Sequence, residues 1–289
     1  MRTPAHATLS FPDSPEVIAV DRDAIRGVLF DWDGCVALGG RITPAAASLL
    51  RRCHSFSAIV SNNTTHDREA FAAMLRRVQV DLPLDRIVLA GVETLRWAAK
   101  EDAPTLLIGS RAMRREARRL EIRLVNQRPA RVLLLRDTGF SYATLQRVVD
   151  AIGAGAQLIV ANRDRTHPGA GGRIVPETGA LLAAITACVG EGAVNVEIGK
   201  PAPALYRRAC AALGIAPNDA VMIGDNPDTD IAGARQLGMG SILVGPLGTT
   251  SIERLAELPL SAWPVDWGDQ KRLIDKTSNV CRSEAVARS

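Results

Sequence analysis

Two aspartates separated by one residue, Asp31 and Asp33, are the side chains in this sequence with the clearest chemical potential. They follow the apolar run 27–30, which predicts a short buried strand that ends at Asp31. Because alternate residues of an extended chain share one side, both carboxylates can reach the same site. Gly34 permits the tight turn that follows. Carboxylates paired in this way suit nucleophilic attack, proton transfer or metal binding.

Polar residues also follow two other predicted strands. Ser61-Asn62-Asn63 comes after an apolar run at 56–60, and the segment from Gly224-Asp225 to Asp230 comes after another at 220–223. In open parallel sheets, binding sites form beyond the carboxyl ends of the strands. The three segments are therefore expected to converge on one crevice.

The residue types in this crevice predict a particular chemistry. Carboxylates that meet in one place repel each other unless a cation neutralises them, and an all-oxygen cluster suits Mg²⁺. The hydroxyl, amide and backbone donors of Ser61 and Asn62 suit a phosphate group. Lys200, between Gly199 and Pro201, adds a compact positive charge in a chain with only four lysines. Together these groups suit phosphoryl transfer.

Strands and helices alternate around these segments, which predicts parallel sheets covered by helices. Near the candidate site the pattern predicts helices over 44–53, with Thr43 as N-cap, and over 67–78, 204–213 and 230–237, and a further strand over 241–244. The middle of the chain repeats the alternation, with strands at 105–108, 131–135 and 157–160 and helices at 111–120, 142–152 and 179–189. We therefore expect an α/β protein whose doubly wound, Rossmann-like parallel sheet carries a second, inserted α/β domain. The expected division is a loose leader over 1–20, a catalytic core over 21–82 and 196–270, an inserted cap over 83–195 and a tail over 271–289.

Composition narrows the class of protein. The chain has 289 residues, of which 47% are hydrophobic and 23% charged, as is typical of a globular protein. No apolar run is long enough for a membrane helix, and the N-terminus lacks the apolar segment of a secretory signal. Five scattered cysteines predict neither a disulfide framework nor a zinc site, and they favour a reducing cytoplasm. We expect no membrane partner.

Most of the net charge of +4 comes from arginine. The densest basic run, at 111–119, places its arginines on one helical face opposite an apolar face. A solvated outer face is the favoured interpretation, with anion or nucleic-acid binding as the alternative. The run lacks the interleaved aromatic residues of a base-stacking surface, so we do not expect nucleic acid as a partner.

The ordered set of motifs resembles the haloacid dehalogenase (HAD) superfamily. Asp31-Trp32-Asp33-Gly34 resembles its DxDG motif I, Ser61-Asn62-Asn63 is similar to motif II, Lys200 to motif III, and Gly224-Asp225 through Asp230 to motif IV. About thirty residues separate motifs I and II, whereas about 140 separate motifs II and III. An insertion at that place resembles the class IIA, NagD-like and p-nitrophenyl phosphatase branch, with its C2-type cap. Leu38-Gly39-Gly40-Arg41 and Gly179-Ala180-Leu181-Leu182 also look like that branch.

The resemblance implies a Mg²⁺-dependent phosphatase that acts on small-molecule phosphate monoesters. Asp31 would form an aspartyl-phosphate, and Asp33 would act as the general acid and then the general base. Mg²⁺ would be held by the Asp31 carboxylate, the Asp33 backbone carbonyl and the Asp225 carboxylate. Since an unperturbed aspartate titrates near pH 4, Asp31 is expected to be ionised at neutral pH without help.

The remaining roles are also implied by the resemblance. The phosphoryl oxygens would be held by Ser61, Asn62, Asn63 and Lys200, and Asp230 and Asn226 would support the site from behind. In the cap, the specificity loop would contact the organic part of the substrate through Arg163, Asp164, Arg165 and His167. Relatives often associate through their caps, so a homodimer is an expectation.

Several other interpretations stay open. The DxDG segment also occurs in calcium loops, but residues 31–42 lack the further ligands that such a loop needs. Asp230 could simply cap a helix. A receiver-like signalling module, or a catalytically silent phosphate-binding protein, could carry a similar set of residues. Two residues depart from the family pattern, Cys35 and Trp32, and of these Trp32 is expected to narrow the floor of the site.

Overall fold

The computed structural model describes residues 25–169, 171 and 173–267. The predicted leader over 1–20 and the predicted tail over 271–289 lie outside the described residues. Numbered along the chain, the strands are β1 (Gly27–Phe30), β2 (Ala37–Leu38), β3 (Arg41–Ile42), β4 (Ser57–Ser61), β5 (Ile87–Leu89), β6 (Thr105–Ile108), β7 (Arg131–Leu134), β8 (Gln157–Val160), β9 (Thr166–Pro168), β10 (Ile174–Pro176), β11 (Val194–Glu197), β12 (Ala220–Gly224) and β13 (Gly240–Leu243). The α-helices are α1 (Pro44–Cys53), α2 (Arg68–Arg77), α3 (Ala90–Ala98), α4 (Arg111–Arg119), α5 (Tyr142–Gly153), α6 (Thr178–Val189), α7 (Ala204–Leu213), α8 (Ala232–Gln236) and α9 (Ile252–Glu257).

The first sheet has five parallel strands in the order β13-β12-β1-β4-β5. β1 lies at its centre, and all four of its residues are buried. The chain leaves β1 towards β4 on one side and returns as β12 on the other, so the direction of winding reverses beside β1. Such a reversal opens a crevice at the carboxyl ends of the strands. The predicted α/β fold is confirmed.

The second sheet is also parallel, with the strand order β11-β8-β7-β6. Alternate residues of its strands face opposite sides. Leu106 and Val132 pack with α5 and α6, whereas Leu107 and Leu133 join the core cluster that includes Met113 of α4. Both faces of the sheet are therefore covered, as parallel sheets require.

Two strands lie near the domain borders expected from the sequence. β5 pairs with β4 in the first sheet, so that sheet continues past residue 82. β11 pairs with β8 in the second sheet and ends at Glu197, beyond the expected border at 195. A buried three-residue strand such as β5 is too short to show a periodic pattern in the sequence. The division into two domains remains a prediction.

Two helical segments show how local sequence controls the fold near the site. The Thr43 hydroxyl accepts a hydrogen bond from the Ala46 amide at 3.1 Å, so the predicted N-cap of α1 is confirmed. The predicted helix over 230–237 is shorter than expected. A π-helical turn covers Pro227–Ile231, and α8 begins only at Ala232.

The arginines of α4 divide between solvent and neighbouring carboxylates. Arg111, Arg115 and Arg118 are exposed, while Arg119 lies 3.2 Å from Glu69 of α2. Within the described part of the chain, no helix has both the length and the apolar character needed to span a membrane.

Candidate active site

The three predicted strand ends meet in one cavity of about 560 Å³. Asp31 follows the central strand β1, where its backbone amide donates to the Ile223 carbonyl at 2.8 Å. β4 and β12 flank β1, and they bring Ser61 and Asp225 to either side of it. All thirteen residues singled out in the sequence line the cavity: Asp31, Asp33, Ser61, Asn62, Asn63, Arg163, Asp164, Arg165, His167, Lys200, Asp225, Asn226 and Asp230.

Lys200 lies between two carboxylates at the bottom of this cavity. Its ammonium group donates to one oxygen of Asp31 and to one oxygen of Asp230, each at 2.5 Å. All three side chains are buried. Burial alone would lower the pKa of Lys200, but Asp230 and Asp31 together raise it well above its ordinary value. Lys200 is therefore a fixed positive charge at neutral pH.

Three carboxylates lie close to the single ammonium group of Lys200. Asp31, Asp225 and Asp230 each offer an oxygen, and these three oxygens lie within 4.8 Å of one another. Burial, with a further contribution from Asp230, raises the pKa of Asp225 to about 6. An all-oxygen, electron-rich cluster of this size fits a hard divalent cation. The side chain of Asp33 is not part of this cluster; the sequence placed only its backbone carbonyl at the metal.

Asp31 corrects one expectation. Asp31 is only 6% exposed, and burial raises the pKa of its carboxylate well above the usual range, although Lys200 acts in the opposite direction. Asp230 and Asp225 add to the rise. Asp31 therefore does depend on nearby positive charge to be ionised at neutral pH, because the buried site disfavours an unpaired carboxylate.

Asp33 lies in a different environment. Burial raises its pKa, and the positive charge of His167, Lys200, His66 and Arg136 limits the rise. A raised pKa keeps a larger fraction of the carboxyl protonated, as a proton donor needs.

The side chains of the loop after β4 form hydrogen bonds mainly within the protein. The Ser61 hydroxyl accepts from the Asn63 amide at 3.1 Å, and the Asn63 side-chain oxygen accepts from the amides of Thr65 and His66. Both ends of the Asn62 side chain are engaged with Lys200. The expected contact of Asn62 with phosphate stays a prediction, while its side chain bonds to the Lys200 backbone and to Asp164.

The turn after β12 is held from several directions. One oxygen of Asp230 accepts from the Asn226 amide at 3.1 Å, and the Asn226 side chain accepts from the amides of Asp228 and Thr229. Asp230 thus supports Lys200 and the turn and does not cap α8, whereas Asp228 is exposed.

Gly34 allows this turn to approach the first motif. Its φ is +89°, and a Cβ atom there would lie 2.0 Å from an oxygen of Asp225. Only glycine combines this backbone conformation with such a close contact.

The second sheet contributes the far wall of the cavity. Arg163 pairs with Glu197 at 2.7 Å, so its charge is already balanced within the protein. His167 lies 2.7 Å from Glu177, which also pairs with Arg136 at 3.5 Å. Asp164 accepts from Asn62 at 3.0 Å, and Arg165 is exposed at the rim.

The sequence patterns do not predict Glu177, Arg136 or Glu197 as residues near the site. Arg136 lies two residues beyond the end of β7, so the rule that placed Asp31 at a strand end would have brought it near the site. Glu177 precedes α6, and no local pattern distinguishes it from an ordinary helix start.

A neighbouring cavity of about 370 Å³ shares Asp33, Asn63, His167 and Glu177 with the main one. Trp32 forms part of its wall and packs on Phe71, with ring centroids 4.5 Å apart. Trp32 therefore shapes the space on the Asp33 side of the site.

Comparison with known proteins places this geometry in a family. Residues 25–238 match the model of the haloacid dehalogenase-like hydrolases. The chain is 30% identical to human chronophin over 253 residues, which cover 80% of this chain and 83% of chronophin.

Two solved structures have the same fold. A p-nitrophenyl phosphatase from Archaeoglobus fulgidus superposes with a TM-score of 0.71 at 25% identity, covering 80% of this chain and 90% of that one. A glycerol phosphate phosphatase from Mycobacterium tuberculosis, solved in complex with calcium, superposes with a TM-score of 0.67 at 31% identity, covering 78% of this chain and 67% of that one. The chain therefore belongs to the haloacid dehalogenase-like hydrolases, in their class IIA branch of NagD-like and p-nitrophenyl phosphatases.

Proposed function

We propose that this chain is a Mg²⁺-dependent phosphatase that hydrolyses small-molecule phosphate monoesters through an aspartyl-phosphate on Asp31. Its named relatives are phosphatases, and the chain is a phosphoric monoester hydrolase of the same family. The observation that carries the proposal is the position of the Asp31 carboxylate. Asp31 follows the central strand, and its carboxylate lies beside Lys200 and two further carboxylates in one cavity.

The metal would be held by the carboxylates of Asp31 and Asp225 and by the backbone carbonyl of Asp33. When bound, Mg²⁺ supplies positive charge that offsets the repulsion between a carboxylate nucleophile and a phosphate dianion. This proposal is supported by the excess of carboxylates over cations and by the raised pKa values of Asp31 and Asp225, which added positive charge would lower.

The chemical steps use two carboxylates of this chain. An oxygen of Asp31 attacks phosphorus, the phosphorus–oxygen bond to the organic group breaks, and Asp33 gives its proton to the departing oxygen. Asp33, now ionised, takes a proton from water as that water attacks the phosphorus of the aspartyl-phosphate. Inorganic phosphate leaves and Asp31 is free again.

Other residues bind the phosphoryl group and select the organic part. Lys200 and the Ser61 hydroxyl would hold the phosphoryl oxygens, and Asp230 holds Lys200 in place. His167, fixed by Glu177, and Arg165 at the rim are the cap residues proposed to contact the organic part. A role for Arg163 would be indirect, because Glu197 already pairs with it.

The first test measures phosphate release from a panel of phosphate monoesters, with Mg²⁺ and with a chelator. We expect activity that the chelator removes and added Mg²⁺ restores. Asp31→Asn should lower kcat by at least about 10³-fold while the protein remains folded, because the nucleophile is lost. Hydrolysis that persists in Asp31→Asn would contradict the assignment of the nucleophile. Binding of phosphate without turnover by the wild type would favour the silent phosphate-binding alternative.

A further inference from the structure

The side chain of Asn62 connects two parts of the site that are far apart in the sequence. Its oxygen accepts a hydrogen bond from the Lys200 backbone amide at 2.8 Å, and its nitrogen donates to the Lys200 backbone carbonyl at 3.2 Å. The same nitrogen donates to a carboxylate oxygen of Asp164 at 3.0 Å. A primary amide has two hydrogens to donate, so both are used. The side chain therefore has no hydrogen left for a phosphoryl oxygen.

A second asparagine completes the connection from the other side. Asn162, which is fully buried, donates from its side chain to the Asn62 backbone carbonyl at 2.6 Å. Its side-chain oxygen accepts from the Asp164 amide at 3.0 Å. Thus each of the two segments, 61–63 and 162–164, is held by a side chain of the other.

Close packing leaves little freedom at this junction. The Gly199 amide donates to the Ala161 carbonyl at 2.8 Å. A Cβ atom at Gly199 would lie 2.4 Å from that carbonyl oxygen and 2.7 Å from the Asn62 side-chain oxygen. The backbone that leads into Lys200 is thus held between the end of β8 and Asn62.

We propose that Asn62 is a positioning residue that couples the docking of the 162–164 segment to the placement of Lys200. The inference rests on the proposed function for the role of Lys200. Asn62 grips the Lys200 backbone at both its amide and its carbonyl, and the remaining hydrogen of Asn62 goes to a segment of the second sheet. When that segment leaves, Asn62 loses its third bond and its fixed orientation, and the ammonium group of Lys200 loses its exact place between Asp31 and Asp230.

The kinetic test uses p-nitrophenyl phosphate and four variants: Asn62→Ala, Asp164→Ala, Asp164→Asn and the double variant Asn62→Ala/Asp164→Ala. Asn62→Ala should lower kcat by about 10²-fold, because a misplaced group of the site costs about that much. Asp164→Ala should lower kcat by about 10-fold, the effect of losing one hydrogen bond to a charged group. Asp164→Asn keeps a side-chain oxygen that can accept from Asn62, so it should recover most of that loss.

The double variant distinguishes coupling from two separate structural effects. If the two side chains act as one unit, Asn62→Ala/Asp164→Ala should be no slower than Asn62→Ala alone. Asn126→Ala and Asp150→Ala are matched controls. Asn126 lies in the chain between β6 and β7 and Asp150 lies on α5, and neither lines the active-site cavity. Losses that simply multiply in the double variant would overturn the proposal.

A second measurement does not depend on activity. Arg163 lies within the 162–164 segment and Arg165 follows it directly; both are exposed, and both are trypsin sites. Release of the segment should speed cleavage after these arginines by at least about three-fold in Asn62→Ala and Asp164→Ala, because local opening controls cleavage of a folded chain. Asp164→Asn and the two controls should be cut at the wild-type rate, as followed by mass spectrometry.

The outcomes separate this proposal from the proposed function. A wild type that releases no phosphate from any ester contradicts the proposed function, and the cleavage rates then test the docking of the segment by themselves. An active wild type with unchanged kcat and unchanged cleavage in Asn62→Ala overturns the coupling. If Asn62→Ala does not fold, as judged by thermal unfolding, full kcat and wild-type cleavage in Asp164→Ala overturn it instead.

Discussion

At the scale of single residues, the site places two carboxylates, Asp31 and Asp33, in different environments. Asp31 contacts Lys200 directly, whereas Asp33 lies apart from the carboxylate cluster and faces His167, His66 and Arg136 more distantly. A contact with a fixed ammonium favours an ionised group, and burial without a direct cation favours a protonated one. The arrangement therefore suits Asp31 as nucleophile and Asp33 as proton donor.

The role of Asp33 predicts a dependence on the leaving group. Asp33→Asn cannot protonate the departing oxygen, so kcat for an alkyl phosphate such as glycerol phosphate should fall by about 10²-fold or more. Formation of the aspartyl-phosphate from p-nitrophenyl phosphate should fall much less, because p-nitrophenolate is a weak base that leaves without a proton. Burst kinetics with p-nitrophenyl phosphate measure that first step. Equal losses of the first step for both substrates would exclude Asp33 as the general acid.

The same residue predicts the pH profile of that step. Burial raises the pKa of Asp33, so the protonated form persists to higher pH than in a free aspartate. As pH rises through this pKa, the proton donor is lost and the rate with an alkyl phosphate should decline, whereas the first step with p-nitrophenyl phosphate should decline less. Single-turnover rates across pH measure the difference, and parallel profiles for the two substrates would contradict it.

At the scale of elements, the parallel sheet brings the chemistry together. β1, β4 and β12 are neighbours that run in one direction, so their carboxyl ends present Asp31, Ser61 and Asp225 side by side. The turn after β1 must then pass very close to Asp225, which is where Gly34 lies.

Gly34→Ala should damage the metal site more than the fold. The added methyl group would meet an Asp225 oxygen at 2.0 Å and force that carboxylate to move. We expect the Mg²⁺ concentration for half-maximal activity to rise by about 10-fold or more, as measured by titration of the metal. Gly214→Ala is the matched control, because Gly214 also has a positive φ, +69°, and a Cβ added there would have no atom within 4 Å. A normal metal requirement in Gly34→Ala would show that Asp225 does not bind the metal.

At the scale of the whole molecule, the buried carboxylates oppose folding when no metal is present. The pKa of Asp225 rises from 3.8 to about 6 in the folded chain, so the folded state binds its proton more tightly than the unfolded state. Its contribution to stability is complete below about pH 4 and is lost as pH rises through about 6. The burial of Asp31 acts in the same direction.

The metal-free protein should therefore respond to Asp225→Asn at neutral pH. Removing the charge removes the cost of its burial, so the Tm of the metal-free variant should exceed that of the metal-free wild type at pH 7.5, and the difference should shrink at pH 5. Mg²⁺ should raise the Tm of the wild type and have little effect on the variant. Thermal unfolding by circular dichroism, with chelator or Mg²⁺, checks both. A lower Tm for the metal-free variant at pH 7.5 would contradict the electrostatic argument.

The oligomeric state and the cellular location of the whole molecule are predictions. The sequence and its family resemblance predict a homodimer through the cap and a cytoplasmic location. The described cysteines, Cys35, Cys53, Cys188 and Cys210, are all free thiols.

Local sequence was sufficient to predict much of the fold and residues that line the candidate site. Short apolar runs and the Thr43 cap depend on neighbours along the chain, and these predictions agree with the structure. The proximity of Asp31 and Ser61 could be predicted, because both lie at the carboxyl ends of parallel strands and these ends meet at one edge of a sheet. β5 was not predicted, because a strand of three buried residues is too short to show hydrophobic periodicity.

Only the tertiary structure decided how these residues interact. The bond from Asn62 to Asp164 spans 102 positions of the sequence, and that from Lys200 to Asp31 spans 169. The pKa of Asp31 depends on burial by such distant segments. The sequence by itself determined which groups are present at the site. Their protonation and their partners follow from burial and from contacts between remote segments, which no local pattern encodes.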